Sequence, residues 1–300
     1  MHKPEHEAAH LENRSELKAS SVIVAQHFLA DDATKKDGKK ILDCAHHLRS
    51  RSNNGYDAQI DTWYCKHPQC PTCQSRRALR CCSKMHQLCD QNPTLTTGKW
   101  IFLTLTVRNC FVEELRTTIA AMNRAFGRLK QRAFWKQHVY GGIKFMEVTP
   151  GRSDVDMAHP HFHCLLRITP SMYEGNNYIS MKRWAREWQQ ALQVSYTPVV
   201  DCKRLSGVGD DLRRQIVSYT RYSMKPHKPT RNRFWFMRVA FETKDLHRFQ
   251  PFGQIKVLLA QCKKERSLTS PDEAKDTAIR ATESIWTWDA WSGKYRLRGE

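Results

Sequence analysis

His159-Pro-His-Phe-His-Cys-Leu-Leu-Arg-Ile168 is the stretch on which the reading of this chain turns. A strand sends successive side chains to opposite faces, so His161 and His163 share one face while Phe162, Cys164, Leu166 and Ile168 share the other. The apolar face belongs to a core. The two imidazoles left side by side have the spacing to hold one divalent cation, although an isolated His-x-His is more often an ordinary pair on an amphipathic strand. The surrounding sequence decides between these readings.

Trp100-Ile-Phe-Leu-Thr-Leu-Thr-Val107 alternates in the same way, with Ile101, Leu103, Leu105 and Val107 inward and Thr104 and Thr106 on the other face. Ile143-Lys-Phe-Met-Glu-Val-Thr149 predicts a second strand, broken at Pro150-Gly151, and Pro198-Val-Val-Asp-Cys-Lys203 a further one. Val112, Leu115, Ile119, Met122, Phe126 and Leu129 recur every three or four residues, which predicts a helix over 112–130. Trp184, Trp188 and Leu192 mark another over 181–193. Leu212, Ile216, Tyr219 and Tyr222 share a face of a helix over about 210–224, stopped by Pro226. Short links such as 149 to 160 require antiparallel neighbours. The expected fold is therefore α+β, a central antiparallel sheet with helices packed on one side.

Residues 1–40 are polar, close with Asp31-Asp-Ala-Thr-Lys-Lys-Asp-Gly-Lys-Lys40, and read as a flexible tail. Seven of the eleven cysteines fall in 41–90. Cys65-Lys-His-Pro-Gln-Cys70-Pro-Thr-Cys73 offers three thiols within nine residues, and Cys44 lies upstream. Such spacing favours a structural zinc site, with His46, His47 and His67 as alternatives to Cys44 for the fourth ligand. Cys81, Cys82 and Cys89 follow at helical spacing and read as packing residues. Arg76, Arg77 and Arg80 sit beside the cluster, where they suit phosphate contacts.

Against 30 Asp plus Glu stand 49 Lys plus Arg, a formal charge of +19. Residues 1–40 hold seven of each sign, so the whole excess lies in 41–300. A basic body of this kind points to a polyanionic partner, and nine Trp and nine Tyr add rings on which unpaired bases stack. No apolar run approaches the ~18 residues of a membrane span. The start, with Glu5, Glu7 and Glu12, lacks the basic and apolar regions of a signal peptide, so a cytoplasmic protein without membrane partners is expected.

Tyr219-Thr-Arg-Tyr-Ser-Met-Lys225 places two tyrosines and a lysine three residues apart on one helix face. With the histidine pair, it suggests a phenolate attacking a phosphodiester whose phosphate a metal polarises. Here the chain resembles the replication initiators of rolling-circle plasmids, members of the His-hydrophobic-His endonuclease superfamily. Five segments carry the resemblance in order over about 41 to 260: Cys65 to Arg77, Ile101 to Asn109, Met146 to Thr149 with His159 to Leu166, Arg221 to Lys225, and Phe249-Gln-Pro-Phe-Gly-Gln-Ile-Lys256.

The resemblance implies a nicking domain over 96–230 after a zinc-stabilised subdomain at 41–95, with 231–300 completing the domain and contacting DNA. It makes His161, His163 and Glu147 ligands of magnesium or manganese, with His159 as an alternative ligand. It makes Tyr222 the nucleophile and Lys225 a positive charge near the scissile phosphate. Tyr219 is an alternative second nucleophile, and Arg76, Arg77, Arg80, Thr104, Thr106 and Arg221 are candidate DNA contacts. Implied partners are plasmid origin DNA, single-stranded DNA, a host helicase and a DNA polymerase. Where some members carry a glutamate one turn before the tyrosine, this chain has Ser218. Rival readings are a relaxase or transposase of the same superfamily, and a non-catalytic zinc protein that binds nucleic acid.

Overall fold

The computed structural model describes residues 4–52, 59–151, 156–173, 178–226, 232–268 and 282–298. They form two compact units, one of Met1–Arg77, Pro226–Met237 and Ser270–Glu300, the other of Ala78–Lys225 and Arg238–Thr269. Both contain antiparallel sheet and helix, the α+β class read from the sequence. No helix among the described residues is long and apolar enough to cross a membrane.

The first stretch of the first unit runs through α1 (Pro4–Leu29), α2 (Lys35–Asp43), β1 (His47–Ser52) and β2 (Gln59–Asp61) into the first turns of α3 (Pro71–Gln91). Much of the expected flexible tail is thus helix. Its buried stripe runs through Ser15, Lys18, Ser21, Ala25 and Phe28, and three polar residues in that stripe hide the helical period from a hydrophobicity pattern.

In the second unit, α3 is followed by α4 (Thr94–Thr97), β3 (Lys99–Thr106), β4 (Cys110–Phe111), α5 (Leu115–Gln131), α6 (Ala133–His138), β5 (Val139–Pro150) and β6 (Met157–Ile168). Then come α7 (Met181–Leu192), β7 (Val200–Arg204) and α8 (Asp210–Met224). The helix expected from 112 begins with one 3-10 turn at Val112–Glu114. After α9 (Arg233–Glu242), β8 (Phe249–Phe252) and α10 (Gly253–Leu268) return to the second unit, while β9 (Thr282–Asp289) and β10 (Lys294–Leu297) belong to the first. Residues 231–300 are therefore divided between the units and do not form a single extension. The first unit's sheet has the order β10-β9-β1-β2, because the late strand β9 pairs antiparallel with β1.

The second unit's sheet runs β7-β3-β6-β5-β8, with β4 also on β6. Its helices cover both faces, a correction to the one-sided expectation. One face carries Trp100, Phe102, Ile143, Phe145 and Leu165, in a core with residues of α3, α8 and α10. The other carries Phe162, whose ring meets Phe126 of α5, and it includes Trp184 and Trp188 of α7 among its buried neighbours. Alternation in β3, β5 and β6 supplies large apolar side chains to both faces, and each needs a cover. The histidine face is polar only toward the ends of these strands where His161 and His163 sit.

Two glycines explain the segment at 249–256. Gly141 and Gly253 bridge each other with φ of 157° and 55°. A Cβ on Gly253 would lie 2.6 Å from the Tyr140 carbonyl oxygen, so only glycine lets β8 dock on β5 there.

Candidate active site and metal centres

Register brings the first cluster together. Glu147 lies opposite His161 in the β5–β6 pairing, and Thr104 lies opposite His163 in the β3–β6 pairing. All three strands therefore present these residues on one face. Glu147 Oε2 is 2.9 Å from His163 Nε2 and 3.3 Å from His161 Nε2. The donor atoms of Glu147, His161 and His163 lie within 4.8 Å of one another, and all three residues are buried.

The outer nitrogens are tethered too. His163 Nδ1 is 3.1 Å from Thr104 Oγ1, and His161 Nδ1 is 3.2 Å from the His159 carbonyl oxygen. Donation of Nδ1–H to each of these oxygens would free both Nε2 lone pairs for a metal ion, whereas without an ion Nε2–H is the donor to Glu147. Burial works to raise the Glu147 pKa, but hydrogen bonds from His161 and His163 outweigh it and hold the carboxyl well below its usual range. Burial is the main force lowering the His163 pKa, which favours the neutral, ligating form. Two imidazoles and a carboxylate form a fitting set for a divalent ion. His159 hydrogen-bonds through Nδ1 to Asn109 Oδ1 at 2.9 Å and lies outside the three-residue group.

Helix α8 delivers the tyrosines to the same face. The Tyr222 ring, half exposed, meets His163 edge to face at 5.6 Å between centroids. Lys225 Nζ sits 4.3 Å from the centre of that ring. Tyr219, one turn earlier, stacks on Phe102 at 4.3 Å and packs against the core. Phe102 in turn stacks on His163, so one buried phenyl ring supports both the helix and the buried imidazole.

In the first unit, Cys44, Cys65, Cys70 and Cys73 place their sulfurs within 4.8 Å of one another. Cys44 thereby joins the group that spacing had left open among four candidates. His47 is exposed, and His67 packs edge-on against Phe28. Hydrogen bonding from the Cys44 thiol is the largest influence holding Cys70 below the usual thiol range, while hydrogen bonding to Cys65 is the largest influence pushing the Cys44 thiol up. Four sulfurs so placed suit zinc.

The structure adds Lys18, which the sequence reading missed. It is fully buried, and its ammonium donates to the carbonyl oxygens of Leu42, at 2.5 Å, and Cys44, at 2.7 Å. A lysine in the middle of a helix stripe was the only signal. The candidate DNA contacts differ in availability. Arg80 and Arg221 are exposed, whereas Arg77 donates to the carbonyls of Lys66, His67 and Pro68, and Arg76 lies over the Tyr64 ring. The Thr104 and Thr106 hydroxyls are engaged with His163 and with the Val199 carbonyl oxygen.

A family model described as replication protein matches residues 57–296, most of the chain. The chain belongs to the replication protein family. This bears out the resemblance to the replication initiators of rolling-circle plasmids. Relatives within reach of the family include the protein rep of Streptococcus pneumoniae serotype 2, 32% identical over 63% of this chain and 60% of that protein. The protein rep of Bacillus amyloliquefaciens is 33% identical over 64% of this chain and 57% of that protein. A replication protein of Staphylococcus aureus is 28% identical over 46% and 60%. The chain thus spans about three fifths of the length of the curated relatives it matches. No solved structure matches it.

Proposed function

We propose that this protein initiates plasmid rolling-circle replication as an origin-specific single-strand endonuclease and strand transferase, with Tyr222 carrying the cut 5′ end. One observation carries the reading: an exposed tyrosine ring rests against His163 of a buried Glu147–His161–His163 group, with Lys225 Nζ over the ring. In the reaction, a bond forms between Tyr222 Oη and phosphorus, and the bond from phosphorus to the 3′-oxygen breaks. The phenolic proton passes to solvent, and the departing 3′-oxygen takes a proton to become the hydroxyl that primes synthesis. One phosphodiester replaces another, so the step is reversible and needs no nucleotide hydrolysis.

Lys225 adds positive charge where negative charge develops on the phosphate. Glu147, His161 and His163 would hold magnesium or manganese, which when bound supplies Lewis-acid stabilisation of the phosphate oxygens. Zinc on the four cysteines would fix the fold of the first unit. The basic excess would hold origin DNA and the unpaired strand, with Arg80 and Arg221 as exposed contacts. A host helicase and polymerase would act on the primed product in the cytoplasm.

The test uses supercoiled DNA of the plasmid that encodes the chain, with manganese and a denaturing gel. Wild type should nick it and remain attached to the 5′ end, while Tyr222→Phe should form no adduct yet bind DNA nearly as well. Tyr219→Phe, whose ring packing is retained, should nick normally. Normal adduct yield from Tyr222→Phe would refute the assignment.

A further inference from the structure

Beyond the three ligands, the histidine face continues into a cavity of about 770 Å³, within the roughly 300–1,000 Å³ typical of small-molecule sites. Thr106, Arg108, Asn109, His159, Tyr196 and Val199 are among its lining residues. Register fixes its position, since Thr106 lies opposite His161 and Thr149, also in the lining, lies opposite His159. The cavity therefore begins one strand step from the proposed metal ligands.

Its chemistry suits a flat heterocycle better than a phosphate. Arg108 is the one cationic arginine or lysine of the lining, and its guanidinium lies over the Tyr196 ring at 4.2 Å. The Tyr196 hydroxyl accepts from the Arg108 backbone N–H at 3.2 Å, which fixes the ring at the cavity wall. Tyrosine and arginine planes stack on bases, and the Asn109 amide and His159 imidazole bring hydrogen-bonding edges beside them.

Geometry also says which base. Tyr222 contacts His163 at one end of the histidine row, and the cavity lies past His161 at the other. An in-line displacement sends the leaving 3′-oxygen away from the attacking phenol. We infer that this cavity binds the base immediately 5′ of the nick, on the nucleotide that keeps the 3′-hydroxyl, and that Tyr196 and Arg108 help set cleavage specificity there. The inference rests on Tyr222 being the nucleophile that takes the 5′ end.

The experiment incubates the full chain and manganese with a single-stranded library randomised around a cleaved origin sequence. Released fragments are joined to an adapter through their 3′-hydroxyls, and protein-bound fragments are recovered after protease digestion. The last base of the first set and the first base of the second are then sequenced. Wild type should favour particular bases at the released 3′ end. Tyr196→Ala and Arg108→Ala should flatten that preference while leaving the preference across the nick intact. An abasic residue at this position should lower kcat/KM of wild type by about tenfold and that of Tyr196→Ala far less. Arg108 is exposed, so its replacement keeps the test valid if Tyr196→Ala fails to fold. An unchanged preference in the variants, no preference in wild type, or flattening only on the bound side would overturn the inference. Absence of any protein-bound fragment from wild type would instead overturn the nucleophile reading on which it rests.

Discussion

Thr104→Val removes one oxygen and keeps the shape of the side chain. The Thr104 hydroxyl lies 3.1 Å from Nδ1 of His163, which is 5% exposed, so the valine leaves a ring nitrogen in a dry environment without that partner. An unmet buried donor costs about 1–3 kcal/mol. The imidazole can escape this cost by moving its proton to Nε2, which removes the lone pair that would face the metal. The outcome should be a 10- to 100-fold loss of manganese affinity, the usual scale for losing a ligand's outer hydrogen bond and equivalent to about 1.4–2.7 kcal/mol. Manganese titration followed by electron paramagnetic resonance, in the Tyr222→Phe background where no DNA is cut, measures this directly. Thr106→Val is the control, because that hydroxyl donates to the Val199 carbonyl oxygen at 2.7 Å. Manganese affinity within twofold of the parent in Thr104→Val, or an equal loss in both variants, would refute the argument.

The cysteine group should carry about one zinc per chain, and Cys70→Ser with Cys73→Ser should lose both metal and stability, read by elemental analysis and thermal unfolding. A folded metal-free protein would reduce these thiols to packing. For pH, burial pushes Lys144 down to about 8 from its usual 10.5, so between those values the unfolded chain binds more protons and stability rises with pH. Lys144→Met should abolish that rise, worth about 3 kcal/mol, and should be more stable than wild type at neutral pH. Urea unfolding at pH 7.5 and 10 compares them, and parallel pH dependence in the two proteins would count against the assignment.

The core elements of the second unit were legible because their signals are local. Alternation at 100–107, 143–149 and 159–168 and the three-four spacing at 112–130 and 210–224 each stand in a window short enough to read directly. The candidate site was legible in the same way, since His161 and His163 are two residues apart and Tyr222 and Lys225 three. The number of layers was not. Whether the second face of β3 and β6 has a cover depends on α8 and α10 returning to it from far along the chain, and neither strand's pattern records that return. Helix α1 was hidden because Ser15, Lys18 and Ser21 occupy buried positions, where hydrogen bonds to distant partners make polar residues tolerable.

By itself, then, the sequence determined the main strands and helices of the second unit, the residue types of the two clusters and the spacing of Tyr222 and Lys225, because periodicity and short motifs are properties of neighbouring residues. Only tertiary structure selected Cys44 over three histidines, set Glu147 opposite His161, turned Thr104 toward His163 and brought β9 beside β1. Each of these depends on register or chain return between segments tens to hundreds of residues apart, where the choice is made by which pairing buries the core and satisfies its polar groups together.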